Sequence, residues 1–560
     1  MSILAELKRR HVFRVAAAYV VGAWVAIQVA ATVAPLLAMP DWVARLVVLL
    51  AILGFPVALC LAWIYDIGAK GVERTIAVDA PAPAATALVA RVGPVASLAV
   101  LPLDEINAGV DDPLADGLTE ALITDLARAT DLKVISRSSV VRFRHSSESP
   151  RAIAQALGVD ALVTGSVRRS GTRIRISVEL TDPASERVLW ADRFDREIED
   201  VLRLQDEIAR AIARELQAHT GPSAPHLSTS QRRRVVPEVY LLDLKGRRMM
   251  ESRTEEGFRA ALLCFQQALD RDPTYGTSYL GVARAHNMLA NYGIEAPAQA
   301  HPRARTAIER ALELGADEAE SQGELAQMRW QFDFDWEGAD QGYQRALALA
   351  PRNARLWYWR GTMLAVGGCF DAALGALARS EELDPLSPIV PANRGWVYYF
   401  ARRYPEAVAA LREVLALHPD LAPAHWFLGM TRVAQGNYVG AIESYSSAIE
   451  RTGRISRLLG YLGHAYGRAG HHDEAEALLQ ELQQRARESY VPPYFRALVL
   501  AGLDRRELAL SELELAFEHR DSMLRDSFVD ASFDRLRDES RFQRLIENLH
   551  LPYQGPSSVP

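Results

Sequence analysis

The fold is decided by LWYWRGTMLAVGGCFDAALGALARSEELDP (356–385) and its successor LSPIVPANRGWVYYFARRYPEAVAALREVLALHP (386–419). The second passage restates the first 34 positions later: Gly361 becomes Gly395, Ala373 becomes Ala407, and Pro385 becomes Pro419. The same step continues outward through Gly429, Gly463 and Ala497, through Ala441, Ala475 and Ala509, and back to Pro351. Each unit holds two helix-period runs separated by a turn. A small residue at the closest approach lets two helices pack tightly, and proline ends the second helix because it cannot donate to the preceding turn. Ala339 with Tyr343, Ala346 and Pro351 fits an earlier copy, and Ala261 with Phe265, Ala268 and Pro273 an earlier one still. Between them, Tyr279-Leu280-Gly281 and Ala304/Ile308/Ala311 fit a copy stretched by an inserted NYGIEAPAQAHP (291–302).

This pattern is similar to the tetratricopeptide repeat family, in about eight copies over residues 235–521, with 522–560 as a C-terminal cap and tail. One helix pair cannot bury its apolar face alone, so stacking implies an all-α superhelix with a concave groove. Carried over by register from the family, the groove-lining positions of the first helices fall on Arg355, Tyr358, Trp396, Tyr399, Trp426, Met430, His464 and Tyr494. Their aromatic and thioether side chains suit contact with a protein partner or peptide segment. The competing reading makes several of them repeat-packing residues.

Two apolar runs stand near the N-terminus. Residues 15–37 and 46–65 carry no charged side chain, and about 20 such residues span a bilayer as helix. Lys8, Arg9, Arg10 and Arg14 precede the first run, Lys70 and Arg74 follow the second, and the connector holds Asp41 and Arg45. The positive-inside rule then places the basic segment 1–14 and everything after Tyr65 in the cytoplasm of a bacterium, attached to the inner membrane; if only one run spans, the bulk of the chain is periplasmic. Residues 66–96 form an Ala/Pro linker, and 221–234 a second linker containing Arg232-Arg233-Arg234.

Between the linkers, residues 97–220 alternate strand and helix signals. SLAVLPL (97–103) has buried-strand length, and 113–130 carries Leu114, Leu118, Leu122 and Leu126 on one helical stripe. LKVIS (132–136), ALVTGSVRR (161–169), RIRISVEL (173–180) and RVLWADRFD (187–195) are strands; 151–157 and 198–218 are helices. This is a small α+β domain. ADGLTEALITDLAR (115–128), LKVISRSS (132–139) and LGVDALVTGSVRRSGTRIRISVELTD (157–182) resemble the FlgO-like family, related to the N-terminal domain of TolB. The resemblance implies a binding or assembly module. ELKRRHVFRVAAAYVVGAW (6–24) is similar to the start of bacterial membrane proteins built from this domain and helical repeats. Some such relatives are labelled adenylate cyclases for a cyclase domain ahead of the same parts; with 14 residues before the first apolar run, none is expected here.

Composition narrows the function. Of 560 residues 49% are hydrophobic and 24% charged, with 63 basic against 70 acidic residues, a net −7. That balance argues against a dedicated nucleic-acid binder. No glycine-rich phosphate loop, GxGxxG, HExxH or GxSxG occurs. Cys60, Cys264 and Cys369 read as core residues of apolar helices. His471-His472-Asp473-Glu474 falls in a turn between helices, and Asp116 and Glu120 lie one turn apart on an outward helix face. The expectation is therefore a chain without enzymatic activity, metal or cofactor. Its function is a membrane-tethered scaffold binding protein partners through the groove; alternatively, it is a sensor whose α+β domain binds a ligand and signals through the repeats.

Overall fold

The computed structural model describes residues 23–24, 53, 65–68, 71–74, 95–106, 113–130, 132–220 and 235–551. The basic N-terminus, nearly all of both apolar runs, Cys60 and the Arg232–Arg234 cluster lie outside the described residues. Among the described residues no helix is long and apolar enough to cross a membrane. The chain divides into residues 1–91 and 92–560.

In the first unit, β1 (Tyr65–Gly68) pairs antiparallel with β2 (Gly71–Arg74). The 66–96 segment, expected as a linker throughout, therefore opens with a pair of antiparallel strands.

The second unit begins with the α+β module. Strands β3 (Ser97–Val100), β4 (Asp104–Ile106), β5 (Lys133–Val134), β6 (Ala161–Ser170), β7 (Arg173–Asp182) and β8 (Arg187–Glu197) form one sheet of order β5-β3-β6-β7-β8, and β4 pairs β6 beyond the end of β3. The first three in that order run parallel, the last three antiparallel. Helices α1 (Leu114–Ala129), α2 (Arg137–Val140), α3 (Pro150–Leu157) and α4 (Val201–Thr220) complete the module. The leucine stripe of α1 is fully buried, as are Ile174, Ile176, Val178 and Leu180 on one face of β7; the opposite β7 face is wet, which is the alternation of a one-sided sheet. Gly158 ends α3 with φ 63°, a left-handed cap that glycine adopts without Cβ strain.

Eight antiparallel helix pairs follow: α5 (Pro237–Met250) and α6 (Glu255–Arg271), α7 (Gly276–Asn291) and α8 (Pro297–Glu313), α9 (Glu318–Met328) and α10 (Trp336–Leu349), α11 (Ala354–Val366) and α12 (Phe370–Leu383), α13 (Ile389–Phe400) and α14 (Tyr404–Leu417), α15 (Ala422–Ala434) and α16 (Tyr438–Thr452), α17 (Ser456–Ala469) and α18 (His472–Glu488), α19 (Pro493–Gly502) and α20 (Arg506–Glu518). The five periodic alanines from Ala373 to Ala509 are all fully buried. The periodic glycines sit where helices touch: a Cβ on Gly429 would meet the Tyr445 ring at 2.5 Å, within the same pair. Gly463 departs from the pattern, because its Cβ would meet Val499 of the next pair at 2.7 Å. After α20 the chain makes two 3-10 turns, Leu524–Phe528 and Ala531–Leu536, and ends its described part in α21 (Ser540–Asn548).

Candidate functional site

The concave face of the array is lined by first helices, and over its C-terminal half it holds the chain's own segment 521–536. Asp530, fully buried, is the anchor. Its Oδ1 accepts from the Tyr399 hydroxyl at 2.6 Å, and its Oδ2 from Tyr461 at 2.9 Å and Tyr494 at 3.0 Å. Those tyrosines belong to α13, α17 and α19, so one carboxylate joins three repeats. The Ser532 amide donates to Oδ1 at 2.8 Å, and the Ala531 amide to the Tyr399 hydroxyl oxygen at 3.0 Å. Arg402 donates to the Val529 carbonyl and pairs with Asp534 at 2.7 Å. Phe533 packs edge-on to Tyr494, and the Arg525 guanidinium lies 4.4 Å from the Trp330 ring centre. The Trp336 indole N–H donates to the Leu549 carbonyl at 2.9 Å, tying the third repeat to the C-terminal cap.

The electrostatics follow from burial. Desolvation and the Asp530 carboxylate hold the hydroxyls of Tyr399, Tyr461 and Tyr494 well above the ordinary phenol range. Burial pushes Asp521 and Asp526 up to about 6 and draws Arg525 down.

The eight register positions fall into distinct environments. Tyr399 and Tyr494 face the groove and grip Asp530. Trp396 is buried, stacked on Phe427 and packed against Phe400, with its indole N–H unpaired. His464 is buried between repeats, its Nδ1 3.0 Å from the Leu498 carbonyl, and burial lowers it to about 4. Met430 is buried on α15. Arg355 pairs with Glu320 at 2.8 Å and covers the Trp359 ring. Tyr358 and Trp426 are half-buried. The Tyr358 hydroxyl accepts from Asn393 at 3.3 Å, and Arg457 lies over the rings of both Trp426 and Tyr292. The register positions did not include Tyr461, Arg402 or Asp530.

A second junction joins the module to the array. Ser138 and Ser139, in α2, donate to Asp384, in the loop after α12, and the Leu386 amide donates to Ser139 Oγ at 2.9 Å. Arg128 pairs with Asp317, and Gln205 of α4 donates to the Tyr240 hydroxyl at 2.7 Å. Val239, Tyr240 and Leu244 of α5 share the module's core. A Cβ on Gly117 would meet a Leu244 methyl at 2.2 Å, so a larger residue there would force the Leu244 side chain to move. The outward reading of Asp116 and Glu120 is corrected here. Asp116 pairs with Arg144 of the module itself, and Glu120 lies 3.7 Å from Arg247 of the first repeat, because α1 meets the array at Glu120. Arg247 also pairs with Asp243 at 2.9 Å, and these two acids hold the guanidinium charged against the cost of burial. Further along, Arg284 and Arg355 keep Glu320 ionised despite its burial.

Among the described residues no group of three or more His, Cys, Asp or Glu side chains is placed to hold a metal ion. His471 and Glu474 are exposed at the start of α18, 3.5 Å apart. Cys264 is buried within α6, but Cys369 stands half-buried in the turn before α12, not within a helix. Burial raises both thiols.

Residues 335–388 and 393–454 match the tetratricopeptide repeat family, so the array is a tetratricopeptide repeat superhelix. Residues 95–211 match the second domain of HilA/YgeH-like transcriptional regulators, rather than the FlgO-like family that the module's motifs resemble. The chain is 33% identical over 195 residues to putative adenylate cyclase 3 of Rhizobium meliloti (strain 1021), covering 35% of this chain and 32% of that protein. It spans about a third of that relative's length. The expectation of a non-enzymatic chain is corrected by this match, since a curated relative over a third of the chain is named for a catalytic activity. Solved structures to which the chain is similar include Pseudomonas aeruginosa pilF, at 21% identity over 39% of this chain and 95% of that one with TM-score 0.29. A human IFIT1 dimer with PPP-AAAA is 15% identical over 62% of this chain and 78% of that one, with TM-score 0.41.

Proposed function

We propose that this chain is a scaffold that binds protein segments along the first helices of its repeats and is tethered to a membrane by its two N-terminal apolar runs. The observation that carries this reading is the groove's own occupant. Three tyrosines of three repeats converge on one aspartate of a short aromatic segment, which is how such a groove would grip a partner's peptide. Over repeats five to eight that position is filled by residues 521–536. The partner therefore engages the half-buried rim around Tyr292, Tyr358, Trp426 and Arg457, where aromatic faces and a cation remain partly open.

A second reading, a regulator in which the module senses a ligand or partner and the repeats relay it, is favoured by the shared core and polar junction between module and array. The likeness of residues 95–211 to the second domain of HilA/YgeH-like transcriptional regulators supports the same direction.

A photocrosslinking residue placed at Tyr358 or Trp426 of the membrane-extracted protein, with Glu413 on a second helix as control, tests the scaffold reading. Crosslinks to a defined protein from the two rim positions and none from Glu413 support it. Crosslinks from Glu413 alone place the partner surface elsewhere.

A further inference from the structure

The tip of the β6–β7 hairpin reads RRSGTRIR (168–175), four arginines in eight residues. Strand register sets Arg168 directly opposite Arg175 and Ser170 opposite Arg173. Ile174 and Ile176 are fully buried, so Arg168, Arg173 and Arg175 share the wet face. Like charges directly opposite on paired strands are destabilising. The neighbouring strand answers in part: Asp195, opposite Arg175, is 2.6 Å from it and 3.3 Å from Arg173, and Glu197 is 3.8 Å from Arg173. Arg168, Arg169, Ser170, Arg173, Arg175 and Asp195 line a cleft of about 450 Å³. The three guanidinium groups that share this face thus crowd a cleft whose lining contributes a single carboxylate, while Arg169, opposite Ile174, borders it from the other face. Broken local rules of this kind are expected at functional or strained sites.

We propose that this cleft binds a phosphate-bearing anion. Guanidinium forks match phosphate oxygens with paired hydrogen bonds, and facing arginines on two strands can hold one phosphate from both sides. The bound anion also relieves the opposition of Arg168 and Arg175. The Ser170 hydroxyl, at the rim, adds a donor. Two sources share this chemistry, a soluble phosphate compound and a phospholipid headgroup.

The purified full-length chain is titrated with inorganic pyrophosphate by calorimetry. It is separately mixed with phosphatidylcholine vesicles with and without phosphatidic acid. Charge-assisted hydrogen bonds are worth about tenfold or more in affinity per group. The double variant Arg168→Gln/Arg173→Gln should therefore lose at least about tenfold in pyrophosphate or vesicle binding at unchanged melting temperature. Arg142→Gln, which removes an exposed arginine outside the cleft, should bind as the parent does. Pyrophosphate binding that competes with vesicles shows both sources using the cleft. Binding to phosphatidic acid vesicles alone, lost in the double variant, assigns the headgroup. The proposal is overturned if neither probe binds saturably, if the double variant binds as well as the parent, or if Arg142→Gln loses as much.

Discussion

The Tyr399 hydroxyl reaches Asp530 across 131 positions of chain, at 2.6 Å. That bond exists only because the superhelix curls far enough to bring its own C-terminal segment against the fifth repeat. Tyr461 and Tyr494 share the carboxylate, and all four groups are buried.

Removing the carboxylate should be costly. Asp530→Ala leaves three buried hydroxyls without their acceptor, and each such orphan costs about 1–3 kcal/mol. The expected loss is at least about 3 kcal/mol, read as a large fall in melting temperature by circular dichroism. Asp530→Asn keeps an acceptor oxygen and should cost less than half as much. Equal melting of Asp530→Ala and the parent would show that the anchor is not formed.

Trp396 and Trp426 should part company. Trp396 is packed on two phenylalanines, and truncating a buried aromatic costs about 3–5 kcal/mol. Trp426 is half-buried at the rim, so Trp426→Ala should shift melting much less while reducing crosslinking from Tyr358. The reverse ranking in thermal denaturation would mean that Trp396, not Trp426, faces the partner.

How much of this was open to inspection in the chain itself follows from range. The repeats were legible because Gly361, Ala373 and Pro385 recur at a fixed step, and each has a local role in helix packing or termination. The β7 strand was legible because its alternation matches one buried and one wet face. Asp530 was not. It caps a short 3-10 turn in a segment with no period, and its three partners are 36, 69 and 131 residues away. Register could name Tyr399 and Tyr494 as groove residues, but not that their own chain would fill the groove. Asp384 was hidden likewise, a loop carboxylate whose serine partners lie some 245 residues earlier. β4 left no signal, since its three residues are all exposed.

The junction between module and array should loosen with one substitution. Asp384→Ala removes the acceptor of both Ser138 and Ser139, a loss of about 1–3 kcal/mol at a buried serine. Amides of residues 136–140 and 383–386 should then exchange faster by mass spectrometry, with α15 to α18 unchanged. No change at 136–140 would argue against the junction.

Acid should act through His464 with a defined sign. Its folded pKa of about 4 lies below the ordinary 6.5, so between these values the unfolded chain binds more protons than the folded one. Stability from this group is complete above about pH 6.5 and is lost as pH falls toward 4. Asp521 and Asp526, raised to about 6, act oppositely, gaining stability as they protonate. The clean readout is the difference between parent and His464→Gln, where glutamine can still donate to the Leu498 carbonyl. The variant should gain relative to the parent as pH drops from 7 to 4.5. A pH-independent difference would mean that His464 titrates normally.

The account rests most heavily on segment 521–536 being a resident of the repeat groove, and hydrogen exchange of that segment tests it most directly. In the parent chain the amides of Leu524–Leu536 should exchange as slowly as those of α17 and α19. In Tyr399→Phe/Tyr461→Phe/Tyr494→Phe they should speed up together while α1 of the module stays protected. Exchange of Leu524–Leu536 at the rate of free peptide in the parent chain would contradict the account.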